Sequence, residues 1–157
     1  MRVTRGAVFG LLDGGRSRRD TERAMSRENV ELVEGLVDAV ARQDAARLIE
    51  LTDPEVEWHS FLAQLREGGV YRGHDGMRQY VQDLGDTWEF LHTEIHDTLA
   101  VGDVVLMVGN LRYRGKGSGV EAASIVGYML KVRRGKALVL RAFREPEQVF
   151  EAVGLSE

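Results

Sequence analysis

The chain has 157 residues, 43% of them hydrophobic, which suits one compact domain able to bury a core around a cavity. It carries 21 basic and 25 acidic residues and no cysteine, which excludes disulfides, thiolate metal sites and a cysteine nucleophile. Residues 1–24 hold six Arg against three acids, leaving 15 basic and 22 acidic residues in the rest; an acidic body of this kind argues against a nucleic-acid surface.

The Arg-rich segment 1–24, with Gly14-Gly15 and Arg16-Ser17-Arg18-Arg19, shows no sustained period and reads as a disordered leader or an upstream start. Met25-Ser26 then looks like a second beginning, and residues 25–157 are expected to form the single domain. No apolar run approaches the roughly 20 residues of a membrane span, and the first residues are too short an apolar patch for a secretory signal. The expectation is a cytoplasmic protein without membrane contact.

From Ser26 the pattern is helical: Ser26 can cap, and Val30, Val33, Leu36, Val37 and Val40 recur at helical spacing. Asp44 can cap a short second helix burying Leu48 and Leu51, which Asp53-Pro54 ends. A strand over 55–61 alternates, with Val56 and Trp58 on one face and Glu57, His59 and Phe61 on the other. After the Gly68-Gly69 loop, a helix from about Asp75 to Trp88 places Met77, Tyr80, Val81, Leu84 and Trp88 on one stripe.

Four strands follow, over 90–100, 104–114, 120–132 and 137–144, joined by turns at Gly102-Asp103, Gly115 to Gly119 and Arg134-Gly135. Pro146 suits the first turn of a last helix packing Val149, Phe150 and Val153, with Gly154 at its end. Helices first and consecutive strands later predict an α+β domain, a curved antiparallel sheet closing as a cone around a cavity with the N-terminal helices on its concave face.

This order resembles the SnoaL-like branch of the nuclear transport factor 2-like superfamily, with its polyketide cyclases and ketosteroid isomerase relatives and their cystatin-like fold. The resemblance covers residues 26–155 and is carried by Arg42-Gln43-Asp44, by Asp53 to His59, by Tyr71 to Arg78 and by the Gly135-Lys136 hairpin leading to Arg141-Ala142-Phe143. It implies an apolar pocket that takes a small apolar, carbonyl-bearing molecule without a cofactor, and a homodimer through the outer sheet face. In ketosteroid isomerase an Asp base works with an oxyanion pair of Tyr and a neutral Asp. Matched to those positions, the base falls on His59, the tyrosine on Leu36 and the neutral acid on Gly127, so a standard ketosteroid isomerase is excluded.

The family register would turn His59 into the pocket as general base for a cyclisation or isomerisation, with Tyr80 or Arg144 as oxyanion partner. Simple alternation instead buries Val56 and Trp58 and sends His59 outward, so the two readings conflict. By the same register Leu84, Trp88, Leu140 and Ala142 line the pocket. Against catalysis stands a non-catalytic ligand-binding or dimeric docking module, favoured by the absent oxyanion residues.

Three other patterns read as structural. His92, Glu94 and His96 share one strand face but lie opposite the inward Leu91, Thr93 and Ile95, so they are expected on a solvated or dimer-facing surface and no metal is predicted. His74 stands at a helix start, where its role is local. No helix follows Gly115 to Gly119, so that run is a hairpin and not a phosphate cradle.

Overall fold

The structure, a computed structural model, describes residues 26–65 and 69–149. Residues 1–24, expected as a leader or an upstream start, Gly68, and Phe150, Val153 and Gly154 of the expected last helix lie outside the described residues. Helix α1 spans Arg27–Arg42, α2 spans Ala45–Leu51 and α3 spans Gly73–Thr87. The strands are β1 (Thr52–His59), β2 (Tyr71–Arg72), β3 (Trp88–Val101), β4 (Val104–Gly115), β5 (Glu121–Arg133) and β6 (Lys136–Phe143).

The helix starts follow from local chemistry. Ser26 Oγ accepts a 3.0 Å hydrogen bond from the Asn29 amide, and Asp44 Oδ1 accepts one of 3.0 Å from the Arg47 amide, each satisfying an end donor that the helix cannot. The turn between α1 and α2 needs Gln43 in the left-handed region, φ 55°, from where its amide reaches back to the last turn of α1. At the close of α2 the Thr52 hydroxyl donates to the Leu48 carbonyl at 2.9 Å, and the chain passes directly into β1.

The six strands lie in the order β2-β1-β6-β5-β4-β3. All neighbours are antiparallel except β1 and β6, which run parallel, so the sheet is mixed where consecutive hairpins had predicted a wholly antiparallel one. Hairpins constrain only sequential strands, and β1 and β6 are partners across the whole meander. Pro54 occupies the register shift of β1 between Thr52 and Glu57, where no ladder donor is needed.

Bulges bend the long strands. The register of β3 shifts between Trp88 and Phe90 and again between Ile95 and Asp97. Opposite the second shift stands Gly109, where any Cβ would collide with the Glu94 carbonyl oxygen and sit 3.2 Å from Ile95 Cα. The curl this produces is visible in the packing: α3 touches β1 and β2 at one end of the sheet and β3 at the other.

Two apolar clusters result. The larger lies between the helices and the inner sheet face and includes Leu36, Leu48, Val56, Trp58, Met77, Tyr80, Leu84 and Leu130. The smaller, on the outer face, joins Leu99, Leu106, Val108 and Val149, so the segment beginning at Pro146 does bury Val149. A charged clamp ties the sheet together across β6: Arg133 of β5 donates to both Asp53 oxygens, at 2.8 and 3.2 Å, and to Glu55 at 2.6 Å. His74 joins α3 to β1 by donating to the Thr52 carbonyl at 3.0 Å. Among the described residues no helix is long and apolar enough to cross a membrane.

Candidate functional site

Between α1, α3 and the inner face of the sheet lies a cavity of about 480 Å³. Helix α1 contributes Val33, Leu36, Val37 and Val40, the stripe that its 3.6-residue period predicts, and α3 contributes Tyr80 and Leu84 one turn apart. The strands supply alternate residues: Leu91, Thr93 and Ile95 of β3, Leu111 and Tyr113 of β4, Val126, Tyr128 and Leu130 of β5, and Leu140 and Ala142 of β6. The volume and the apolar walls match a site for a small molecule.

The register places most of the candidates in the wall and excludes one. Tyr80, Leu84, Trp88, Leu140, Ala142 and Arg144 all line the cavity. Trp88 does so from the first position of β3, since α3 ends at Thr87, one residue earlier than its apolar stripe implied. His59 is not in the wall. Trp58 pairs with the inward Leu140 and His59 with the exposed Arg141, so His59 faces away from the cavity and the inward register inferred for it is corrected. Local alternation had it right, because a two-residue period cannot put neighbours Trp58 and His59 on one face.

On the outer face His59 Nε2 lies 3.1 Å from Glu57 Oε1, and Arg72 Nη1 lies 3.1 Å from the other oxygen of the same carboxylate. These two contacts, the imidazole's foremost, hold the Glu57 carboxyl below its ordinary value. Phe61 is corrected in the opposite sense: β1 ends at His59, the chain turns, and Ser60 and Phe61 both reach the cavity.

Of the two remaining positions matched to ketosteroid isomerase, Leu36 lines the cavity as an apolar wall. Gly127 faces the outside instead, where a Cβ would overlap Val149 Cγ2 and come within 3.2 Å of Pro146 Cα. An acid at that position could not point inward.

Apart from Arg144 and the two indole nitrogens, the polar side chains of the described wall are hydroxylic. Tyr128 and Thr93 share a hydrogen bond of 3.1 Å between their hydroxyls. Burial pushes the Tyr80 phenol up to about 12, opposed by the nearby Trp58 indole, and burial also raises Tyr128. Both therefore stay protonated at neutral pH and act as neutral donors. The rings stack edge to face or tilted: Tyr80 is 5.2 Å from Tyr71 and 5.6 Å from Trp58, and Trp88 is 5.0 Å from Tyr113. The indole nitrogens of Trp58 and Trp88 are buried without a hydrogen-bond partner.

Tyr113 and Tyr128 were not singled out from the sequence, although Val126, Tyr128 and Leu130 alternate along β5 as inward residues must. The signal was present, but the flanking exposed stretch Ala123 to Ile125 masks it. His92 and His96 are exposed on the outer face, where Asn110 Nδ2 lies 2.8 Å from His96 Nε2 and Glu94 Oε1 3.4 Å from it. Among the described residues no group of three or more His, Asp or Glu is arranged to hold a metal ion.

The comparisons agree on the fold. An NTF2-like protein of unknown function from Burkholderia pseudomallei K96243 superposes with a TM-score of 0.67 at 17% identity, over 81% of this chain and 97% of that one. TerC, co-crystallised with polyporic acid, gives 0.65 at 18% identity, over 81% of this chain and 98% of TerC. A putative polyketide cyclase from Sinorhizobium meliloti gives 0.56 at 17% identity, over 71% of this chain and 93% of that one. No curated protein matches the chain in sequence. The profile of the SnoaL-like domain matches residues 33–150, from the second turn of α1 to the segment after β6, and the chain belongs to that family.

Proposed function

We propose that the cavity binds a small, largely apolar molecule bearing a carbonyl oxygen. The observation that carries this reading is a cavity of about 480 Å³ with apolar walls into which a few neutral hydroxyls project. Such walls stabilise an apolar body by about 25 cal/mol per Å² removed from water, and one or two hydroxyls fix its orientation by hydrogen bonding to an oxygen. The co-crystallisation of TerC, a protein of the same fold, with polyporic acid supports a small-molecule ligand.

Binding is favoured over proton abstraction. A general base must lie within hydrogen-bond reach of the proton it takes. The described residues of the wall include no His, Asp or Glu, and the imidazole of His59 stands on the far side of the sheet. Cofactor-independent cyclisation or isomerisation is the second reading, supported by the likeness to the putative polyketide cyclase. In it Tyr80 and Arg144 would polarise a carbonyl oxygen, and the proton would pass to water or to the substrate itself.

Calorimetric titration of the full chain with two- and three-ring aryl ketones tests the binding reading. Saturable binding is expected in the parent and in His59→Ala, and its loss in Ala142→Phe, which fills the cavity. Binding that survives in Ala142→Phe, or that His59→Ala removes, would contradict it. Circular dichroism confirms that each variant is folded.

A further inference from the structure

Charge around the cavity is unlike charge elsewhere on the chain. The protein is acidic overall, net charge −4, yet among the described residues the cavity wall carries no carboxylate and a single ionised side chain, the Arg144 guanidinium. Arginines 42, 47, 72, 78, 112, 114 and 133 each stand within 4 Å of a carboxylate. Arg144 makes no ion pair among the described residues; neither do the exposed Arg27, Arg134 and Arg141, but of these four only Arg144 borders the cavity. It follows β6 at two residues from the inward Ala142 and four from the inward Leu140, which carries its side chain to the cavity side.

The structure assigns Arg144 a ligand of its own: we propose that the cavity takes an apolar ring compound bearing a carboxylate, whose anionic oxygens pair with the Arg144 guanidinium at the rim. This deepens the binding reading and rests on it. A guanidinium presents a planar fork of donors that matches a carboxylate in two parallel hydrogen bonds, and no fixed negative charge in the described wall opposes the anion. The aromatic and aliphatic side chains of α1, α3 and the sheet enclose the apolar body. Ser60, Thr93, Ser124 and the protonated tyrosines supply only neutral hydroxyls, so they are compatible with an anion and do not demand one. The charge selectivity comes from Arg144.

The test is calorimetric titration of the full chain with matched pairs: two- and three-ring aryl carboxylates and the methyl ketones of the same skeletons. The parent is expected to bind the carboxylate at least about tenfold more tightly than the ketone, with the carboxylate alone weakened by raising salt. Arg144→Met should bring the two affinities together by weakening the carboxylate, and Arg144→Lys should retain part of the preference. Equal or weaker binding of the carboxylate by the parent, or an equal loss for both ligands in Arg144→Met, would overturn the assignment while leaving the binding reading intact. Failure of both ligands to bind the parent would overturn the binding reading and this assignment with it.

Discussion

Leu48 and Leu84 form a matched pair that reports on the cavity through stability alone. Both are helical and buried, 0% and 1% exposed, but only Leu84 borders the cavity. Replacement by Ala removes the same three carbons from each, a transfer loss of roughly 2.5 kcal/mol at about 0.8 kcal/mol per carbon. Leu48→Ala leaves in addition an enclosed void; at about 24 cal/mol per Å³, a void of roughly 80 Å³ adds about 2 kcal/mol. Leu84→Ala only extends space that is already empty of protein, so most of that second contribution is absent. The expected losses are about 4.5 kcal/mol for Leu48→Ala and about 3 kcal/mol for Leu84→Ala, read from urea denaturation followed by circular dichroism with unchanged slope. A loss at Leu84 equal to or larger than that at Leu48 would contradict an open cavity beside Leu84, which would then sit in a core as tight as that around Leu48.

The remaining expectations concern single contacts. Asp44→Ala removes the acceptor at the start of the seven-residue α2 and should cost about 1 kcal/mol, while Asp44→Ser should recover most of it. Asp53, held by Arg133 and by the Glu55 amide, has its carboxyl below the ordinary value. A carboxyl depressed by folding contributes stability that is present above its ordinary value and is lost as pH falls through the depressed one. Asp53→Asn should therefore flatten the acid limb of a stability-against-pH curve at the lowest pH values and leave its shape near neutrality unchanged.

Much of this architecture is written locally in the sequence. The Ser26 and Asp44 caps, the apolar period of α1 and the Gly102 and Gly135 turns place six elements, α1, α2 and β3 to β6, to within a residue or two, because each is decided by neighbours in the chain. What depends on distant partners was not legible. The parallel pairing of β1 with β6 joins residues about 80 positions apart, and β2 is only two residues long, too short to show a period. Site residues divide in the same way. The stripe of α3 points Tyr80 inward and the family register points Leu140 and Ala142 there, whereas Phe61 reaches the wall by a turn that alternation does not foresee. His59 is the position at which that register fails, because Trp58 beside it is the more apolar residue and takes the inward place.

The proposed ligand would occupy the space enclosed by α1, α3 and the inner sheet face. Trp58 and Trp88 are the protein's two tryptophans, and both border that space, so an ¹⁵N-labelled chain should show two buried indole N–H signals as direct reporters. Titration with a three-ring aryl ketone or carboxylate that binds calorimetrically is expected to move both signals saturably, while the backbone amides of Gly102 and Gly135, in turns that do not border the cavity, stay in place. Saturation of binding with both indole signals unmoved would contradict binding in the cavity, since the ligand would then lie outside it.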